Sequence, residues 1–299
     1  NSFDSSVSTT AVNDLSSASN YDGTITTQSN ATLPGFNTAT GAWTFGGGAS
    51  GVGPYIDVPN ISSTQFATLG VTVDFEADFG ASTDMWERIL DFSVAGSQNN
   101  NMLVSRVATS NDLGIEFYTG AASQSVCTYA GAIPANSGMN RWTISVDGTT
   151  CRFYKNGVSV YSVAYTGKPV SGVTWADNYI GRSNWADSSF EGSIKSVSMF
   201  AGALAPSDIT GFTYKTVTSD AYAGGVSTVT QTRLTSGSMR LPTPTARPGY
   251  VFTGWFTSNT FATKVGDPGA IYAPAATTTL YGGWRTVDSS VTGNLILNF

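Results

Sequence analysis

Residues 142–157 read WTISVDGTTCRFYKNG, and this stretch decides the fold class. Apolar and polar residues alternate over 142–146, as they do in a β-strand with one buried face. Asp147-Gly148 and Asn156-Gly157 are dipeptides that favour two-residue hairpin turns. The stretch therefore predicts a meander of three antiparallel strands, of which the third runs from 158 to 165.

The same alternation recurs outside this stretch. Residues 71–79 read VTVDFEADF, which places only apolar residues on one face and Thr, Asp, Glu and Asp on the other. Long helical periodicity is absent, and Ala205–Ile209 is compatible with a single helical turn that has Pro206 near its start. We therefore predict an all-β fold of antiparallel strands.

The composition excludes several classes of function. The 299 residues include 14 basic and 20 acidic ones, and the net charge of −6 lacks the basic footprint of a nucleic-acid-binding protein. There is no histidine, which excludes imidazole-based triads and histidine metal sites, and two cysteines are too few for cysteine-rich metal sites. No apolar run is long enough for a transmembrane helix, so we expect no membrane insertion. Low charge with abundant glycine and aromatic residues is typical of a secreted or extracellular-surface β-protein.

Cys127 and Cys151 admit two interpretations, a redox pair and a structural disulfide. They fall in strands that we predict to be neighbours, and the extracellular composition favours the disulfide, which is worth about 3 kcal/mol in the chain-entropy model. Asn30 and Asn60 each begin a glycosylation sequon. At least one such pattern is expected by chance in a chain so rich in Asn, Ser and Thr. Whether either asparagine is glycosylated depends on whether the source organism glycosylates.

A series of motifs resembles laminin-G-like, concanavalin-A-like jelly-roll domains, in the order in which that family has them. The motifs are GAWTF at 41–45, WERILDFS at 86–93, RWTISVDG at 141–148, RFYKNG at 152–157, NYIGRSNW at 178–185, FEGSI at 190–194 and ALAPSDI at 203–209. The resemblance implies two packed antiparallel sheets over 33–213.

A second resemblance covers 214–286. LPTPTARPGYVFTGWF at 241–256 and TTLYGGW at 278–284 resemble the internalin B-repeat, also called the Listeria–Bacteroides repeat, which implies a small β-grasp-like domain with a core built on Trp255 and Trp284. A Ser/Thr-rich arm at 1–32 and a strand-like tail at 287–299 complete the predicted organisation. We expect one or both ends to mediate self-assembly, with folding back on the same chain as the alternative.

Asp74, Glu76 and Asp78 are the strongest catalytic candidates. At period two they share one face of a strand about 7 Å apart, close to the carboxylate separations of glycosidases. The favoured alternative is a solvated polar face opposite the buried residues of the strand. No other catalytic constellation accompanies them, so we predict no catalytic residues and no enzyme, with glycosidase activity left open.

Laminin-G-like domains often hold Ca²⁺ at a sheet rim, so Ca²⁺ is the one cofactor that the resemblance suggests. Asp177 and Asp187 flank a predicted rim segment and are its best oxygen donors, although capping of a turn is the commoner role of such residues. Trp175 and Trp185 lie near the same loops and are candidates for stacking on a sugar ring, with burial in the core as the alternative.

Three functions follow from these features. The leading interpretation is a non-catalytic structural or adhesive subunit of a cell-surface or virion-surface assembly, able to self-assemble into a fibre, whose partners are other copies of itself or other surface proteins. The second is a glycan-binding, lectin-like module. The third is a glycoside hydrolase that uses the three carboxylates of the alternating strand.

Overall fold

The structure of the chain is a computed structural model. It describes residues 11–12, 22–28, 32–37, 40–49, 52–121, 123–204, 209, 215–220, 229–233, 239–241, 244, 246–272, 274–276 and 278–286. The chain folds into two compact units, 1–213 and 214–299. Strands dominate the described part of each unit.

Eight antiparallel strands form the first sheet of unit 1. In spatial order they are β1 (Ala11–Val12), β2 (Gly23–Gln28), β5 (Gly53–Val58), β16 (Asp177–Ile180), β8 (Arg88–Ser93), β9 (Met102–Arg106), β10 (Leu113–Thr119) and β11 (Ser123–Tyr129).

Seven antiparallel strands form the second sheet. In spatial order they are β14 (Val158–Ala164), β13 (Thr150–Lys155), β12 (Asn140–Val146), β7 (Val71–Asp78), β17 (Ser189–Ala201), β4 (Ala42–Gly48) and β3 (Gly35–Asn37). The predicted meander is confirmed as β12–β13–β14. Asn156 and Gly157 both have positive φ, 52° and 81°, as the predicted hairpin turn requires.

The two sheets enclose one hydrophobic core to which the strands contribute alternate residues. On β7, Val71, Val73 and Phe75 are fully buried, as the alternation predicts. The same core contains Trp142, Ile144 and Val146 of β12. The jelly-roll fold class is therefore confirmed.

Cys127 and Cys151 form the predicted disulfide, with Cα atoms 6.7 Å apart. The prediction that they lie in neighbouring strands is wrong. Cys127 belongs to β11 of the eight-stranded sheet and Cys151 to β13 of the seven-stranded sheet. Both side chains lie in the core, so the bond joins the two layers.

The boundary predicted at residue 33 is also too late. Strand β2 pairs with β5 in a regular antiparallel register, and Ile25 lies in the core. This part of the polar arm therefore folds back on its own sheet, where it pairs with β5 and buries Ile25. The rest of the arm lies mostly outside the described residues, as does the 287–299 tail.

Helix α1 (Thr64–Leu69) is a short element that the sequence pattern does not predict. It is the one α-helix whose bounds lie within the described residues, and it follows β6 (Ile61–Ser62), which pairs with β15 (Thr174–Trp175). Of the helical turn predicted at 205–209, only Ile209 is described. No helix among the described residues is long and apolar enough to cross a membrane.

Unit 2 contains a five-stranded sheet in the order β19 (Val229–Arg233), β18 (Lys215–Asp220), β24 (Thr278–Thr286), β21 (Tyr250–Phe256) and β22 (Lys264–Gly266), and a pair formed by β20 (Met239–Arg240) and β23 (Ile271–Tyr272). Strands β18 and β24 are parallel, and the other pairs are antiparallel. Its core contains Leu241, Trp255 and Leu280, whereas Trp284 is only half-buried. The likeness of this unit to an internalin B-repeat stays a prediction.

Candidate functional site

The outer face of the eight-stranded sheet carries polar and aromatic side chains in register. One row crosses five strands through Asp57, Tyr179, Asp91, Leu103 and Glu116. The neighbours of these residues along each strand point into the core, so the row faces away from it. Residues from widely separated parts of the sequence therefore meet on one surface.

An open cavity of about 280 Å³ lies on this face, and we call it the outer-face pocket. It combines three aromatic rings with four polar or charged side chains. Its lining consists of Trp86, Arg88, Glu116, Tyr118, Gln124, Trp185 and Asp187. A concave site with aromatic walls and a few convergent polar groups is the usual form of a small-molecule site.

Arg88 organises the wall of the pocket. Its guanidinium carbon lies 5.7 Å from the ring centroids of both Trp86 and Trp185. Nη1 donates to the Trp86 carbonyl at 2.8 Å, Nη2 to Asp187 Oδ2 at 2.8 Å and Nε to Asp91 Oδ2 at 3.4 Å. Because each of its nitrogens has an acceptor within the protein, Arg88 holds the two indoles in place rather than offering a free cation.

The segment that follows β16 brings Trp185 over the sheet, and Asn184 fixes it there. The Asn184 backbone NH donates to Asp91 Oδ2 at 3.0 Å, and its side-chain amide donates to Asp91 Oδ1 at 3.0 Å and to the Asp177 carbonyl at 3.1 Å. Asp91 is fully buried and also accepts from Asn101 at 2.8 Å. The aromatic wall is therefore held by a buried, charge-assisted network.

Two further rings complete the aromatic surface. Tyr118 and Trp185 lie with centroids 4.9 Å apart and ring planes tilted by 44°. Trp86 has a positive φ of 58°, which is unusual for a bulky residue and persists only where the surroundings fix it. Its amide donates to the Ala108 carbonyl at 3.0 Å and its carbonyl accepts from Arg88. Strained backbone of this kind clusters at functional sites.

Glu116 lies at the base of the pocket. It is only 2% exposed, Oε2 accepts from the Gln124 amide, and Oε1 has no hydrogen-bond partner among the described residues. Burial raises the pKa of this carboxyl, the nearby Arg88 opposes the shift, and the carboxylates of Asp91 and Asp187 add to it.

The same segment also contacts the other half of the face. The Arg182 guanidinium lies 4.7 Å from the Tyr55 ring centroid and 4.1 Å from that of Tyr179, and the two tyrosine rings meet edge to face. The segment that follows β16 therefore places Arg182 against Tyr179 of β16 and Trp185 against Tyr118 of β10.

Of the two tryptophans singled out from the sequence, only Trp185 lines the pocket. Trp175 is fully buried, packs against Phe66 and Phe92, and donates from Nε1 to the Asn100 carbonyl at 2.9 Å. Its ring is therefore a core element, and its assignment as a sugar-stacking residue is wrong.

Asp177 and Asp187 have different partners. Asp177 Oδ2 accepts from the Gly96 amide at 2.6 Å, whereas Asp187 Oδ2 accepts from Arg88 and, at 3.0 Å, from Ser183. The described residues include no cluster of three or more Asp, Glu, His or Cys side chains suited to a metal ion. Calcium binding by these two aspartates stays a prediction.

The three carboxylates of β7 lie on the outer face of the other sheet. Asp74 Oδ2 accepts from Arg141 at 2.7 Å, Glu76 pairs with Lys195 at 3.0 Å, and Asp78 accepts from the Gly80 amide at 2.9 Å. Asp74 is only 6% exposed, so the expectation of a solvated face is wrong at this position. Each carboxylate is engaged within the protein.

The remaining site predictions concern glycosylation. Asn60 is exposed between β5 and β6, and Asn30 lies outside the described residues.

Five residues of the pocket were not predicted from the sequence: Trp86, Arg88, Glu116, Tyr118 and Gln124. A signal was available for some of them. Glu116 and Tyr118 occupy the outward positions of an alternating strand, and Trp86 and Arg88 belong to the WERILDFS motif, which indicates a core strand of the fold.

The family described as the concanavalin A-like lectin/glucanases superfamily matches residues 46–210, more than half of the chain. No curated protein matches the chain. Among solved structures, the binding domain of botulinum neurotoxin DC, in complex with rat synaptotagmin II, is 11% identical with a TM-score of 0.50, covering 81% of this chain and 70% of that one.

Two further similar structures have lower TM-scores. Domain 4 of the extracellular arabinanase AbnA from Geobacillus stearothermophilus, in complex with arabinotriose, is 20% identical (TM-score 0.48, 66% of this chain and 92% of that one). The CBM40 of the Ruminococcus gnavus IT-sialidase, bound to α2,3-sialyllactose, is 14% identical (TM-score 0.40, 52% and 94%). At these identities the likeness shows the fold alone.

Proposed function

Because this chain belongs to the concanavalin A-like lectin/glucanases superfamily, we propose that it is a glycan-binding protein and that the outer-face pocket is its binding site. The proposal places a sugar ring against the indole of Trp185 and the ring of Tyr118. The polar side chains at the base and rim then bond to sugar hydroxyl groups.

The proposal rests on the side chains that line the pocket and on the hydrogen bonds that hold them in place. Sugars present both apolar C–H faces and hydroxyl groups, so they need flat rings beside hydrogen-bonding groups. Trp86, Trp185 and Tyr118 supply the rings, while Glu116 and Gln124 supply an acceptor and a donor. The network through Arg88 and Asp91 orders the walls before a ligand arrives, which lowers the entropic cost of binding.

The test is a glycan panel followed by calorimetry on the full chain. Trp185→Ala is expected to weaken binding by about tenfold or more, since interface aromatic residues are often worth more than 1 kcal/mol. Tyr250→Ala, which removes a half-buried aromatic ring in unit 2, serves as the matched control and is expected to leave affinity unchanged. Equal loss in both variants, or no binding across the panel, would refute the proposal.

We further propose that the protein works outside the cell, as a structural or adhesive component of a surface. The disulfide between the two sheets supports an oxidising compartment. In this proposal unit 2 is a repeat-like spacer, and segment 287–299 is the candidate for self-association, since residues 23–28 of the N-terminal arm pair with their own sheet. Catalysis is not part of the proposal, because no observation favours it over binding.

A further inference from the structure

Glu116 has an incomplete set of hydrogen bonds for a buried carboxylate. The residue is 2% exposed, yet only Oε2 has a partner among the described residues, the exposed side chain of Gln124. An ionised carboxylate accepts hydrogen bonds on both oxygens, and leaving one unmade is costly in a buried site. Within the described structure, the buried Oε1 of this pocket-lining residue therefore lacks a donor.

The charges around Glu116 do not supply that donor. Arg88, Asp91 and Asp187 are the charged groups that act on it, so the site holds one cation and three carboxylates, a net charge of −2 when all are ionised. The nitrogens of Arg88 are already bonded to Trp86, Asp91 and Asp187. The pocket is thus short of positive charge, and its lining residues offer no free cation to bind an anionic group.

We propose, on the basis of the function proposed above, that the outer-face pocket selects glycans with a free amino group, whose ammonium bonds to the Glu116 carboxylate. A protonated amine supplies both the missing donor and the missing positive charge. A hydroxyl group supplies only the donor, and a carboxylated sugar adds a further negative charge.

Gln124 shows which kind of group this carboxylate accepts. Its amide nitrogen donates to Oε2 from the exposed rim of the pocket. A ligand ammonium reaches the carboxylate when this flexible side chain swings aside.

The test compares three oligosaccharides of similar length by calorimetry just below neutral pH, where the sugar amine carries a proton. They are a fully deacetylated chitosan oligomer, its N-acetylated counterpart and a sialylated oligosaccharide. We expect the deacetylated oligomer to bind about tenfold or more tightly than the acetylated one, since a charge-assisted hydrogen bond is worth more than a neutral one. The sialylated glycan is expected to bind most weakly.

Glu116→Gln keeps the shape and removes the charge, so it is expected to abolish the preference for the amine. Glu76→Gln, at a half-buried carboxylate on the other sheet, is the matched control and keeps the preference. As a second measurement on the unmodified protein, the preference should fall at acid pH, where the Glu116 carboxylate becomes protonated.

The outcomes separate this inference from the function on which it rests. Equal or tighter binding of the acetylated or sialylated glycan, or a preference that survives in Glu116→Gln, overturns the inference but leaves glycan binding intact. If none of the three binds, the inference is also wrong, and the proposed function falls with it only when the broader panel is negative.

Discussion

Asn184→Ala is expected to loosen the outer-face pocket, our proposed binding site, and to destabilise the first unit by about 2 kcal/mol. The side-chain amide of Asn184 bonds to Asp91 Oδ1 at 3.0 Å and to the carbonyls of Asp91 and Asp177 at 3.2 and 3.1 Å. Asp91 is fully buried and retains Arg88, Asn101 and the residue 184 backbone as donors. The variant therefore loses these three bonds, of which the charge-assisted one to Asp91 Oδ1 dominates, with a range of about 1.5–3 kcal/mol.

Affinity is expected to fall together with stability. If binding must reorder about one residue of the segment that carries Trp185, the backbone entropy cost is about 1–2 kcal/mol, which corresponds to roughly tenfold in the dissociation constant. Urea unfolding followed by tryptophan fluorescence measures stability, and calorimetry with a bound glycan measures affinity. Asn60→Ala, at an exposed asparagine before β6, is the control and is expected to change neither.

A loss of stability below about 0.5 kcal/mol would refute this reasoning, because that is the ordinary effect of a surface substitution. So would a normal affinity in a variant that is destabilised as expected. The first result means that the Asn184–Asp91 bonds exchange for water without cost, and the second that Trp185 does not depend on them for its position.

Two other predictions concern stability. Replacing both Cys127 and Cys151 by alanine is expected to lower the free energy of unfolding by about 3 kcal/mol, because the bond closes a loop between residues separated by 24 in sequence. Mass analysis of the unmodified protein after alkylation without reduction should find no free thiol. Two labelled thiols would contradict the bond. Burial raises the pKa of Glu116 above its usual 4.5, so the folded state binds the proton more tightly and stability falls as pH rises through the folded-state pKa. Glu116→Gln should therefore be more stable than the unmodified protein at neutral pH and show a smaller advantage under acid conditions; an advantage that does not vary with pH would contradict this.

Local patterns predicted the strands well and their assembly only in part. The alternation over 71–78 and the Asn156-Gly157 turn depend only on residues that are close together in sequence, and both appear in the structure as expected. The period of a strand tells which residues share a face, but not which sheet the strand joins. For that reason the pattern favoured neighbouring strands for Cys127 and Cys151, although they belong to opposite sheets.

The candidate site was predictable to a smaller degree. Trp175 and Trp185 lie ten positions apart in similar surroundings, and nothing in the local sequence indicates that one is fully buried and the other lines a pocket. That difference arises from long-range contacts, such as the bonds of Asn184 to Asp91 across 93 residues. Residues that meet through the register of a sheet leave little trace in a single sequence.

The buried carboxylates on the two outer faces have different partners. On the seven-stranded sheet, Asp74 is neutralised by Arg141 and Glu76 by Lys195, so the acidic residues of that face serve the fold. On the eight-stranded sheet, Glu116 is buried at least as deeply as Asp74, but its described hydrogen-bond partner is the uncharged side chain of Gln124. A buried carboxylate that is not bonded to a cation lowers stability, and such a cost is tolerated where the group has a task other than folding. The proposed function gives Glu116 such a task, since the aromatic rings around it suit the recognition of a ligand.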